Sequence, residues 1–91
     1  MTKETILNGD TTALVTGASA GIGKAVAVAL SAQGVRVICT ARRVDRLNAL
    51  VEELQNPALA FELDVADGDA VDRLLYELPE EWRDIDILVN N

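Results

Sequence analysis

Along this chain of 91 residues, apolar positions fall into short blocks whose period switches between that of a strand and that of a helix. Residues 12–16 (TALVT) form a continuous run rich in β-branched types, polar before and glycine after, the pattern of a parallel strand buried on both faces. From Gly21 to Gln33 the period lengthens, with Ile22, Ala25, Val26, Ala29 and Leu30 on one helical face and Gly34 as the stop. Val35 to Ala41 (VRVICTA) predicts a second strand. Val44, Leu47, Leu50, Val51 and Leu54 predict a second amphipathic helix, ended at Asn56-Pro57 because proline cannot continue it. Residues 58–63 (ALAFEL) predict a third strand. Asp67 is suited to cap a third helix with an apolar stripe of Val71, Leu74, Leu75 and Leu78, Asp69 and Asp72 near its positive end and Pro79 closing it. The PEEWRD connection then leads to a last strand, from Asp86 to Asn90 or Asn91.

This βαβαβαβ alternation predicts an α/β fold. Right-handed crossovers make the sheet parallel, and a Rossmann-like, doubly wound arrangement orders its strands 3-2-1-4. Ligands of such sheets bind beyond the carboxyl ends of the strands, at the switch point between strands 1 and 4. The residues at those four ends are TG, ARR, DV and NN.

The first end carries the strongest signal, Thr16 to Gly23 (TGASAGIG), between the first strand and the first helix. There Gly17 permits a sharp turn, Gly21 removes a Cβ that would block a phosphate, and Gly23 lets the helix lie close to the strand. The free N–H groups of the first helical turn stabilise an anion without any lysine. A tight turn that holds nothing is the alternative.

At the second end, Thr40-Ala41-Arg42-Arg43 offers no acid to the ribose hydroxyls of NAD; an arginine there pairs with the 2′-phosphate of NADP. Arg42, Arg43 and Arg46 are otherwise solvated charges opening a helix, although the dipole slightly disfavours cations there. Ser19 either supports the 2′-phosphate or bonds its own turn. At the third end, the Asp64 carboxylate can accept from an adenine amino group while the Val65 N–H meets a ring nitrogen, unless Asp64 merely starts a turn. At the fourth, Asn90 and Asn91 either contact cofactor or tie neighbouring strands.

Length allows one domain, with residues 1–10 as a polar lead-in and 11–91 as a dinucleotide-binding half. A net charge of −7 argues against nucleic acid and acidic membrane surfaces, so any phosphate contact is local. Without histidine, and with Cys39 as the one cysteine, metal sites of the usual nitrogen and sulfur kind are not expected. Cys39 reads as a small buried hydrophobe in a reducing compartment, and no segment resembles a signal peptide or a membrane span, which predicts a cytoplasmic protein.

Together, Thr16-Gly17-x-x-x-Gly21-x-Gly23, the arginine pair, Asp64-Val65 and Asn90-Asn91 resemble the short-chain dehydrogenase/reductase family over residues 11–91. LPEEWRDIDILVNN, residues 78–91, is similar to its branch of NADP-dependent 3-hydroxy acid (serine, allo-threonine) dehydrogenases. The resemblance implies NADP as cofactor, with Thr16, Gly17, Gly21, Ile22 and Gly23 at the pyrophosphate. It implies Arg42 or Arg43 at the 2′-phosphate, Asp64 and Val65 at the adenine, and Asn90 at the nicotinamide-side ribose or in the sheet. It further implies a small-molecule substrate and a homo-oligomer for the full-length protein. The family's catalytic Ser and Tyr-x-x-x-Lys have no counterpart here, since Tyr76 is followed four positions later by Glu80. The chain therefore reads as the amino-terminal part of an oxidoreductase. A free-standing nucleotide-binding module and an unliganded Rossmann-like structural domain are the alternatives.

Overall fold

The computed structural model describes residues 11–91; the lead-in expected over 1–10 lies outside the described residues. Elements follow in the order β1 (Thr12–Val15), α1 (Gly21–Ala32), β2 (Arg36–Ala41), α2 (Val44–Glu53), β3 (Ala58–Glu62), α3 (Gly68–Glu77), a 3₁₀ turn (Glu80–Trp82) and β4 (Ile87–Val89). All strand pairs are parallel and the sheet order is β3-β2-β1-β4, as the alternation predicts. Element ends move by one or two residues, since end residues lack the second hydrogen-bonded neighbour that defines a strand.

Register sorts side chains onto two faces. Val15 lies between Cys39 and Val89, and Leu14 between Ile38 and Leu88. Ala13, Val15, Val37, Cys39 and Ala41 face α1 and α2, where Ala27, Leu47 and Leu50 complete one core. Leu14 and Ile38 face α3, packing with Leu63, Leu74, Leu78 and Trp82 in another. β1 is buried along its whole length, which is why it reads as an unbroken apolar run.

Two helical faces differ from expectation. α1 buries Gly23, Ala27 and Ser31, with Leu30 packed beside them, while Ile22 is 75% exposed and Ala25 and Ala29 face solvent. Hydropathy selects the larger apolar residues, but a helix tethered to β1 by a tight turn must approach a sheet face of Ala, Val and Cys closely, and the smallest side chains permit that. Ser31 accepts the Asn56 N–H at 3.0 Å, so the buried hydroxyl also ties α1 to the loop before β3. Leu74 in α3 and Leu78 at its C-cap are buried as expected, but Leu75 is exposed, one position around the helix from the face that meets the sheet.

The connection after Pro79 holds more than a turn. Trp82 is only 7% exposed, and the Arg36 guanidinium stacks 4.8 Å from its ring centroid. Arg36 also donates to Thr12 Oγ1 and to the Glu81 carbonyl, each at 2.8 Å. Asp86 closes that end of the sheet, its carboxylate accepting from the Thr12 N–H at 3.0 Å. All of this lies at the amino ends of the strands and leaves the carboxyl ends open.

Candidate functional site

The turn after β1 is held from both sides. The Thr16 hydroxyl accepts the Asn91 N–H at 3.0 Å and directs its own hydrogen toward the Val89 carbonyl at 3.3 Å and Asn90 Oδ1 at 3.5 Å. Thr16 is thus a strap between β1 and β4, and the Asn90 side chain belongs to the same strap. On the other side, the Ala18 N–H donates to the Thr40 carbonyl at 3.0 Å, while the Thr40 hydroxyl donates to the Val15 carbonyl at 3.2 Å. The turn cannot drift relative to the ends of β2 and β4.

Its glycines do separate work. Gly17 has φ +61°, and Gly21 has φ +60° with nothing within 4 Å of where a Cβ would stand. A left-handed backbone with open space above it lets a ligand reach the peptide plane. A Cβ at Gly23, by contrast, would collide with the Gly17 carbonyl, so this glycine sets the approach of helix to turn. α1 has Ala20 at its N-cap position, with no side-chain cap bond and no acid in its first turn, whereas α3 is capped by Asp67, which accepts from the Asp69 and Ala70 N–H groups. The positive end of α1 therefore faces outward uncompensated.

Beside this turn opens a cleft of about 780 Å³ at the carboxyl ends of the strands. Gly17 and Ser19 line it from the first turn, Ala41, Arg42, Arg43 and Arg46 from the end of β2 and the start of α2, and Leu63, Asp64 and Val65 from the end of β3; Asn91 closes it. Residues far apart in sequence, Ser19, Arg42, Arg43, Asp64 and Val65, thus meet in one place. Thr16, Gly21, Ile22, Gly23 and Asn90 are not on the cleft wall; Asn91 is, and its side-chain amide donates to the Gly17 carbonyl at 3.3 Å. Asp64 accepts the Ala66 N–H at 3.0 Å through one carboxylate oxygen, which starts the turn and leaves the other oxygen without a protein partner among the described residues.

The arginines divide into two groups. Arg36 is bonded and stacked, Arg73 pairs with Asp67 at 3.5 Å, and Arg83 donates to the carbonyls of Leu78 and Tyr76. Among the described residues, Arg42, Arg43 and Arg46 have no hydrogen bond or ion pair. Three unpaired guanidiniums on one cleft of a chain of net charge −7 make a local anion site rather than a general basic surface. Ala41, Arg46, Leu63 and Asn91 are the lining residues that motif reading did not assign; the spacing of Arg46, one turn after Arg43, was the available signal for that residue. Cys39 is fully buried and its thiol is pushed up to about 11 by desolvation, so it is no nucleophile.

The model of the short chain dehydrogenase family matches residues 11–91. The NADP-dependent 3-hydroxy acid dehydrogenase YdfG of Salmonella typhi is 47% identical over 78 residues, which is 86% of this chain and 32% of that protein. Serine 3-dehydrogenase of Agrobacterium fabrum is 46% identical over 80 residues, 88% of this chain and 32% of its own length. The closed form of a serine dehydrogenase complexed with NADP+ superposes with a TM-score of 0.84 at 44% identity, covering 89% of this chain and 33% of that one. The chain spans about a third of the length of these relatives. A family model that reaches across every described residue, over a sheet of the same topology, places this chain in the short-chain dehydrogenase family.

Proposed function

We propose that this chain is the NADP-binding portion of a short-chain oxidoreductase that transfers a hydride between NADP(H) and a small hydroxy acid or carbonyl substrate. The observation that carries the reading is the group of unpaired guanidiniums beyond β2, at a strand end that offers no carboxylate to a ribose. A 2′-phosphate carries close to two negative charges at neutral pH and accepts charge-assisted hydrogen bonds, while an unphosphorylated ribose leaves the guanidiniums unpartnered. The overall charge of −7 opposes an anionic ligand, but that repulsion is screened beyond about 8 Å at physiological salt and contact pairs are not.

The remaining roles follow from position. Gly17, Gly21, Ile22 and Gly23 present backbone N–H groups and the positive end of α1 to the pyrophosphate, and Thr16 and Asn90 keep that turn fixed against β4. Ser19 sits beside the 2′-phosphate; Asp64 and the Val65 N–H meet the adenine edge between the apolar Ala41 and Leu63. The bound dinucleotide supplies the hydride chemistry. Relatives that are 3-hydroxy acid and serine dehydrogenases support a small hydroxy acid as substrate. The reading extends to a homo-oligomeric, cytoplasmic full-length protein; among the described residues, no helix is long and apolar enough to cross a membrane.

Calorimetric titration of the intact protein with NADP and NAD tests the cofactor, and assay with a panel of small 3-hydroxy acids tests the reaction. Arg42→Asp combined with Arg43→Asp is expected to weaken NADP more than NAD by about 1.5 to 3 kcal/mol. Equal losses for both cofactors overturn the NADP assignment. Binding without turnover on any hydroxy acid or carbonyl assigns a nucleotide-binding module instead.

A further inference from the structure

We propose that Arg46 is a specificity-determining residue that holds the 2′-phosphate jointly with Arg42 and Arg43; the inference rests on the NADP reading above. Arg46 belongs to the first turn of α2 and lines the same cleft as the other two arginines. Its direction is set by packing. Leu47 and Leu50 are buried under the sheet with Val51 and Leu54 against them, which fixes the rotation of α2 and with it the side on which Arg46 emerges.

No described residue occupies its guanidinium. Among the described residues it has no ion pair, and Asp45, the acid of the same turn, pairs with none of the three arginines. A cation in the first turn of a helix meets the positive end of the dipole, so Arg46 lowers rather than raises the stability of α2 unless an anion sits nearby. Arg43, at the N-cap position of α2, makes no side-chain cap bond, leaving N–H groups of that turn available to the same anion. Across the cleft, Asp64 is the one carboxylate on the wall among the described residues. Two arginines outnumber it narrowly; the third makes the cleft distinctly cationic on the β2 side. The three terminal oxygens of a phosphate monoester offer acceptor sites enough for three forked donors.

The alternative use of a guanidinium here is stacking on the adenine plane, which does not sense the 2′-phosphate. Calorimetric titration of the intact protein with adenosine 2′,5′-bisphosphate and with 5′-AMP separates the two. Arg46→Ala should reduce the preference for the bisphosphate over 5′-AMP by about tenfold, the low end of the range for hydrogen bonds to charged groups, because the side chain is exposed. Arg46→Lys should retain part of that preference and make it more salt-sensitive, a point charge replacing the fork. Arg73→Ala, on α3 and away from the cleft, should leave the preference unchanged, with circular dichroism confirming the fold of each variant. Equal weakening of both ligands by Arg46→Ala, or no change in either, overturns the role given to Arg46 and leaves the NADP reading standing. A wild-type protein that does not distinguish the two ligands overturns both.

Discussion

A methyl group at position 23 has no room. It would meet the Gly17 carbonyl and approach Asn91 Nδ2 to 2.8 Å, and both are fixed, one by the turn and the other by its bond to that carbonyl. Gly23→Ala should therefore cost about 2 kcal/mol or more, measured by urea unfolding, and weaken dinucleotide binding by pushing α1 off the turn. At Gly21 the space is open, so Gly21→Ala should cost only the left-handed backbone, about 1 to 2 kcal/mol. Cys39 supplies a second test. Its thiol stays protonated to about 11 in the fold against 9.0 for a free thiol. Below pH 9 both states hold the proton and stability does not depend on it; above pH 9 the unfolded chain releases its proton first, so stability should fall as pH rises from 9 toward 11. Cys39→Ala should remove this component of the pH dependence, and the wild-type thiol should resist alkylation until the protein unfolds.

Helices α1 and α3 use opposite solutions at their starts. Asp67 closes the N-terminus of α3 with bonds of 3.1 and 3.3 Å, and Asp67→Ala should destabilise the protein by about 1 kcal/mol. α1 has Ala20 at its N-cap position and no such cap. Ala20→Asp should raise stability by about 0.5 to 1 kcal/mol and lower affinity for the dinucleotide, because the new carboxylate takes the N–H groups and the dipole that the pyrophosphate would use. Opposite signs in melting and in titration are the diagnostic outcome. If both rise, or both fall, the free end of α1 is not the pyrophosphate site.

Across the described residues, β4 has one strand neighbour, β1, and its other edge carries no partner. Leu88 on that strand is 64% exposed, on the face that α3 covers only over the remaining strands. An apolar edge with open N–H and C=O groups pairs with another copy as concentration rises, and a net charge of −7 screened by salt does not prevent it. A polypeptide of these 91 residues should show concentration-dependent size by light scattering. Leu88→Lys should reduce that size without a core penalty, since the side chain is already in solvent; Val89, packed against the core under α1, is the poorer choice. A monomer at high concentration would show that the edge is protected.

Periodicity and turn chemistry carried the strand order, the glycine turn, the Asp67 cap and the cluster of Arg42, Arg43, Asp64 and Val65. Each of these depends on local backbone preference or on the handedness of βαβ crossovers, both written in short stretches of residues. What stayed hidden was set by contacts between distant residues. The buried face of α1 was chosen by its distance from the sheet rather than by hydropathy, the Trp82 turn by stacking with Arg36 from β2, and Thr16 by a strap to β4 more than seventy residues away. The same reason separates Asn91 from Asn90 and brings Arg46 into the cleft: the direction of a side chain is decided by which face of its element is buried, and only the packed molecule determines that face.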